Sequence, residues 1–155
     1  MTSSNNQQAQ NFTFGEFTIS VPEGWREFKR SEDTFVIRSV DDEEQVTITG
    51  MHFAKAATFE DFKTLCEQRI KVEKREIVEG FVEPTEPVKS GNSFDMFFSG
   101  GDKKTRRVFM GYLVCTAHDL VTIYLESPQG APKGFGSIFD TIDVWLKINP
   151  KINPL

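Results

Sequence analysis

Residues 93–127 read SFDMFFSGGDKKTRRVFMGYLVCTAHDLVTIYLES, three apolar runs separated by two short polar turns. The first run (93–99) places large apolar residues at alternate positions, as a strand with one buried face does. The second run (105–117) is apolar on both faces beyond Val108, which is typical of a central strand. The third run (120–127) follows a three-residue turn. Strands joined by such short turns predict an antiparallel meander at the centre of the fold.

The first half of the chain predicts further strands. Residues 17–21 alternate apolar and polar side chains and end at a Pro-Glu-Gly turn. Gly15 marks either a bulge or a break between two short strands, because the apolar positions change parity across it. Residues 34–40 and 45–53 have strand patterns, and the acidic residues 41–44 join them. This pair is predicted to be a hairpin.

Two helices are predicted to cover this sheet. The first begins near Thr58, which can act as N-cap, with Asp61 three residues further on. Its apolar residues recur at helical spacing as far as Ile70. The second spans residues 135–148, carries one broad apolar stripe and ends before an Asn-Pro pair.

The length of 155 residues suits one domain with a real core. The order of strands and helices predicts a single α+β domain over residues 11–149, in which helices sandwich an antiparallel β-sheet. Residues 1–10 are rich in Ser, Asn and Gln and are expected to be a disordered tail. Residues 150–155 are expected to be a short C-terminal tail.

Charge and composition exclude several classes of partner. A formal net charge of −5 argues against a nucleic-acid-binding protein, which usually carries a basic face. The N-terminal residues lack the pattern of a signal peptide, and no stretch approaches the roughly 18 apolar residues that cross a bilayer. We therefore expect a cytoplasmic protein with no membrane partner. Cys66 and Cys115 are predicted to be buried free thiols.

No residue pattern predicts catalysis, a metal or a cofactor. His52 and His118 have no cysteine or carboxylate pair beside them at metal-ligand spacing. Cys115 and His118 bracket a turn, but nothing in the sequence supplies an oxyanion hole. The glycine-rich residues 130–136 lack the Gly-Lys-Ser/Thr ending of a phosphate-binding loop. The protein is therefore predicted not to be an enzyme.

Three segments together resemble the PsbP-like fold. Residues 17–25 (FTISVPEGW) resemble its opening strand and turn, residues 104–127 its long hairpin, and residues 135–146 its closing helix. The resemblance implies an α/β/α sandwich in which Trp25 is a core anchor. The fold family includes the photosystem protein PsbP, the Ran-binding MOG proteins and the bacterial DcrB-related proteins. The DcrB-related proteins include cytosolic chaperones that hold apolar segments of type VI secretion effectors.

The resemblance implies a cytosolic protein-binding adaptor or chaperone, either monomeric or homodimeric. It would hold an apolar segment of a secreted effector on sheet residues that do not face a helix. The five candidate residues are Phe97, Phe109, Leu113 and Tyr124, with Met110 joining them if a bulge turns it to that face.

The alternative function is an immunity protein that binds a toxin through an acidic patch. The candidate residues for this patch are Asp41, Asp42, Glu43 and Glu44, although a solvated turn is the interpretation that we favour for them. The densest basic run, Lys103, Lys104, Arg106 and Arg107, is either a solvated hairpin end or a surface for an acidic partner.

Overall fold

A computed structural model of the protein describes residues 11–21, 24–39, 44–127 and 146–148. These residues form eleven strands and one helix. The elements are β1 (Phe12–Phe14), β2 (Phe17–Ile19), β3 (Trp25–Arg30), β4 (Thr34–Ser39), β5 (Gln45–His52), α1 (Phe59–Glu76), β6 (Gly80–Pro84), β7 (Val88–Ser90), β8 (Ser93–Asp102), β9 (Arg107–Cys115), β10 (Asp119–Ser127) and β11 (Leu146–Ile148).

The main sheet has eight strands in the order β3-β4-β5-β10-β9-β8-β6, with β7 also paired to β8. Neighbouring strands are antiparallel throughout. The predicted meander is confirmed as β8-β9-β10, and the predicted hairpin is confirmed as β4-β5. Because β5 pairs with β10, the hairpin and the meander share one continuous sheet.

The turn between β8 and β9 is shorter than the sequence predicts. Gly100 and Gly101, expected in the turn, continue β8 opposite β9. A Cβ on Gly100 would lie 2.4 Å from the ring of Phe109. Gly100 is therefore a place of close packing inside the sheet, and the turn begins only at Lys103.

Helix α1 packs on one face of the main sheet, which we call the helix face. Its predicted capping box is confirmed: Asp61 N–H donates to the Thr58 hydroxyl (3.1 Å), and Thr58 N–H donates to the Asp61 carboxylate (2.9 Å). The buried apolar side of α1 contacts strands β8, β9 and β10. This cluster contains Phe62, Cys66, Ile70, Met96, Phe98, Phe109, Leu113, Cys115 and Leu120.

A small antiparallel sheet, β1-β2-β11, covers part of the opposite face. Phe12, Phe17 and Ile19 are buried there against β4, β5 and β10, and the ring of Phe12 stacks on that of Phe35 at 5.0 Å. Gly15 lies between β1 and β2 with φ of +53°, so it marks a break between two strands.

The predicted second helix is wrong at its C-terminal end. Residues 146–148 form β11, which pairs with β2. Strand β11 satisfies the backbone groups on one edge of β2, and Pro150 would stop a helix directly afterwards. Residues 135–145 of this predicted helix lie outside the described residues, as do the predicted tails at 1–10 and 150–155. In the described chain a helix covers one face of the sheet and a small sheet the other.

Two smaller expectations concern single side chains. Trp25 begins β3, is half-buried, and packs against the cluster beneath the small sheet. Cys66 and Cys115 are both free and buried, which confirms that prediction.

A groove between the helix and the uncovered strands

The five predicted partner-binding residues do not share one face. Phe109 and Leu113 are buried under α1, and Tyr124 packs against the same cluster. Phe97 lies on the opposite face, where its ring stacks on Tyr112 at 4.4 Å. We predicted one patch on the sheet face that no helix covers. For Phe109, Leu113 and Tyr124 this prediction is wrong, because successive residues of a strand point to opposite faces and these three point toward α1.

Met110 reaches the face of Phe97 without a bulge. It lies opposite Ser99 in a regular register between β8 and β9, two residues from Tyr112. Met110 and Phe97 are both half-buried.

The predicted acidic patch is only partly visible. Asp41, Asp42 and Glu43 lie outside the described residues. Glu44 is 8% exposed, and its backbone N–H donates to the hydroxyl of Ser39. Glu44 therefore closes the β4-β5 hairpin and does not belong to an exposed acidic surface.

Helix α1 covers only part of the helix face. Its apolar side lies over β8, β9 and β10, so β3, β4 and β5 extend beyond it. A groove of about 320 Å³ runs between α1 and β5, over β9 and β10, and we call it the helix groove. Its walls and floor are Leu65, Gln68, Arg69 and Val72 of α1, together with Thr49, Gly50, Met51, Leu113, Leu120 and Thr122 of the sheet.

The helix groove continues toward the start of α1. A second cavity of about 310 Å³ shares Leu65 and Gln68 with it and extends to Phe53 and Lys55. The two cavities together follow α1 from its first turns to Val72. The shape of this depression is open to an extended or helical segment.

Exposed apolar side chains flank a floor of threonines. Met51 is 48% exposed and Val72 is 41% exposed, on opposite sides of the helix groove. Thr34, Thr49 and Thr122 lie directly opposite one another on β4, β5 and β10. Their methyl groups offer apolar contact, and the Thr34 hydroxyl donates to the Asp33 carboxylate at 3.2 Å.

A basic stripe lies on the same face, beyond the threonines. It consists of Arg26, Lys29 and Arg38, with the exposed ring of Phe28 among them. Arg26 lies opposite Arg38, and Lys29 lies opposite Val36, which in turn faces Thr47 on β5. The guanidinium of Arg38 lies 3.5 Å from the ring centroid of Phe28, and its Nε donates to Gln45 at 2.9 Å.

Buried charges fix α1 beside the helix groove. Glu73 accepts a hydrogen bond from Arg69 at 2.9 Å. Arg107 donates to the Tyr124 hydroxyl at 2.6 Å, and that hydroxyl donates to Glu73 at 3.4 Å. Burial raises the pKa of both Tyr124 and Glu126, and Arg107 lies 3.8 Å from Glu126. The interpretation of Arg107 as part of a solvated hairpin end is therefore wrong.

The groups suited to acid–base or thiol chemistry lie away from this groove or are buried. Burial raises the pKa of Cys66 and of Cys115 to about 12, so both remain thiols at neutral pH. His52 Nδ1 lies 2.9 Å from Asp119, whose side chain is 4% exposed. In residues 11–21, 24–39, 44–127 and 146–148, no three His, Cys, Asp or Glu side chains form a group that could hold a metal.

Sequence reasoning missed both the helix groove and the basic stripe. The alternation of Thr47 and Thr49 was visible, but their face depends on the pairing of β5 with β10. Arg26 and Arg38 are twelve positions apart, and only the register of β3 with β4 brings them together.

Within the described residues, no helix combines the length and apolar character that a bilayer crossing needs. No family model and no curated protein matches the sequence.

Solved structures do match the fold. The cyanobacterial PsbP protein (CyanoP) of Synechocystis sp. PCC 6803 has a TM-score of 0.57 and 14% identity, and the match covers 86% of each chain. LpqN of Mycobacterium tuberculosis, described as involved in cell envelope biogenesis, has a TM-score of 0.55 and 13% identity over 86% of this chain and 83% of its own.

A protein of Bacteroides thetaiotaomicron VPI-5482 has a TM-score of 0.51 and 14% identity over 94% of this chain. This chain spans about half the length of that protein, 50% of which is matched. At these identities the likeness concerns the fold alone. The chain therefore has a PsbP-like fold, mostly antiparallel sheet with one helix in its described part.

Proposed function

We propose that this protein is a non-enzymatic adaptor or chaperone of the cytoplasm that binds an apolar segment of another protein. The observation that carries the proposal is the helix groove, a long depression with exposed Met51 and Val72 on its two sides. Covering these side chains would remove apolar surface from water, at roughly 25 cal/mol per Å². The buried thiols support a binding function over thiol catalysis.

The segment we propose is one amphipathic helix. Helices pack about 8–10 Å apart, and adjacent strands lie about 4.8 Å apart, so the three strands beyond α1 offer the width of one helix. The resemblance described above suggests the apolar segment of a secreted effector as the natural ligand.

The test is binding of a labelled, apolar-faced helical peptide of about 20 residues, followed by fluorescence anisotropy. Val72→Glu places a charge at the edge of the groove, and Val88→Glu is the matched control on an exposed strand residue, 48% accessible, outside it. We expect Val72→Glu to weaken binding by about tenfold or more and Val88→Glu to leave it unchanged, with both variants folded by circular dichroism.

Two results would overturn this proposal. One is that wild-type protein binds no apolar-faced peptide and sediments as a monomer. The other is that both variants bind the peptide equally well. A dimer that dissociates only in Val72→Glu would instead assign the groove to a second copy of the chain.

A further inference from the structure

We infer that the partner helix carries carboxylates along one edge, and that the basic stripe recognises them. This inference rests on the proposed function, since it specifies the chemistry of the segment held beside α1. It starts from a contrast of charge: the protein has a net charge of −5, yet three cationic side chains gather on the uncovered strands.

The register places the stripe where the far edge of a bound helix would lie. A helix resting against Leu65 and Val72 would lie over β10 and β5, whose residues line the helix groove, because its axis is about 10 Å from that of α1. Its opposite edge then faces β4 and β3, which lie one and two strand spacings, about 5 and 10 Å, beyond β5 and within reach of long charged side chains. Arg26 and Lys29 are exposed on β3, and Arg38 is half-buried beside them on β4.

Arg38 is held in an orientation suited to a carboxylate. Its guanidinium stacks on Phe28, and its Nε is fixed by Gln45, so the planar group loses little freedom on binding. Among the described residues no acceptor binds its two terminal NH₂ groups, and no carboxylate forms an ion pair with Arg38 or Lys29.

Two arginines facing each other across adjacent strands are unfavourable for the sheet. Arg26 and Arg38 are direct partners in the register, and like charges in such positions repel. A carboxylate of the partner helix beside Arg38 and Lys29 would reduce this repulsion. Among the described residues, the carboxylates of Glu27 and Glu126 have other contacts: Glu27 pairs with Arg30, and Glu126 is near Arg107.

The experiment compares two helical peptides of about 20 residues with identical apolar faces. One carries Glu along one edge and the other carries Gln at the same positions. We expect the Glu peptide to bind about tenfold more tightly at about 0.1 M salt, and this advantage to shrink toward about 1 M salt, where the screening length is about 3 Å.

Charge reversal on the protein provides the second arm. Lys29→Glu with Arg38→Glu should reverse the preference, so that a peptide with Lys along the same edge binds best. The matched control is Lys71→Glu with Lys89→Glu, two exposed lysines outside the stripe, which should keep the preference for Glu. If the double variant does not fold, the exposed Lys29→Glu alone should still reduce the preference for Glu severalfold.

The outcomes separate the two proposals. Equal binding of the Glu and Gln peptides overturns this inference and leaves the proposed function standing. Binding of neither peptide overturns both. Tight binding of a single-stranded oligonucleotide of about 12 nucleotides, lost in the charge-reversed variant, would also overturn it and assign the stripe to nucleic acid.

Discussion

The backbone N–H of Glu16 donates a hydrogen bond of 3.0 Å to the buried carboxylate of Asp119. This contact joins the turn between β1 and β2 to the first residue of β10, and so connects the small sheet to the main one. The Thr116 hydroxyl bonds the Glu16 carboxylate beside it, and His52 approaches the second oxygen of Asp119 at 2.9 Å. The Asp119 carboxylate thus adds a polar connection to the apolar packing that holds the small sheet on the main one.

The connection makes Gly15 sensitive to substitution. A Cβ on Gly15 would lie 2.1 Å from Asp119 Oδ2, and its φ of +53° disfavours other residues. Gly15→Ala should lower the free energy of unfolding by more than the roughly 1–3 kcal/mol of backbone strain alone. Gly91→Ala is the matched control, because Gly91 has a φ of +60° and no neighbour within 4 Å. Equal losses in urea denaturation would show that the contact with Asp119 is unimportant.

The carboxylate of Asp102 should make the free energy of unfolding depend on pH in the acidic range. A hydrogen bond from the Val78 N–H (2.7 Å), helped by Glu79 and Lys104 N–H groups, lowers its pKa. Because the folded pKa lies below the unfolded value of about 3.9, this contribution is complete above that pH and is lost as pH falls through the folded value.

Thermal unfolding of Asp102→Asn between pH 2 and pH 7 tests this expectation, over a range that extends about two units below and about three units above the unfolded pKa. The deficit of Asp102→Asn relative to wild type should be constant near neutral pH and shrink below about pH 4. Glu86→Gln, which removes an exposed carboxylate, corrects for the change in net charge. A deficit that is independent of pH would contradict the assignment.

The two cysteines should be unreactive in the folded protein. Burial raises the pKa of each thiol to about 12, so the thiolate fraction at pH 8 is about one in ten thousand. A thiol reagent such as dithionitrobenzoate should therefore titrate neither cysteine without urea and both with it. Rapid reaction in native buffer, traced with Cys66→Ala and Cys115→Ala, would show that one of the thiols is accessible.

A charged substitution at Leu113 tests whether this residue of the central strand β9 lies in the core or on the surface. It is 2% exposed beneath α1, so Leu113→Asp would bury a carboxylate without a partner and should unfold the protein. Val88→Asp, on a residue that is 48% exposed, should remain folded. A folded Leu113→Asp protein, judged by circular dichroism, would mean that α1 does not cover this strand.

Local sequence signals predicted the local structure well. Thr58 and Asp61 predicted the helix start because a capping box needs only side chains within one turn. The meander followed from apolar runs and short turns, which are also local features. The PsbP-like fold was expected from the resemblance of three segments, and the solved structures of similar fold agree with it.

The face of each strand residue was harder to predict, because it depends on register. Phe97 and Phe98 are neighbours in sequence, yet one stacks on Tyr112 and the other packs under α1. The basic stripe depends on a shift in register between Glu27 and Lys29, which no local pattern shows. Residues 146–148 form a strand because they pair with the edge of β2. This is a long-range contact, which the helical periodicity of the sequence could not reveal.

The irregularity at Phe28 affects whether molecules of this protein can pair through their sheet edges at high concentration. Strand β3 lies at one end of the main sheet, and its bulge and its charged residues disturb the row of backbone groups that another chain would need for fibril growth. At the other end, Pro84 removes a backbone donor from β6. These features work against edge-to-edge pairing of the main sheet with another molecule, while the apolar side chains of Met51 and Val72 stay exposed.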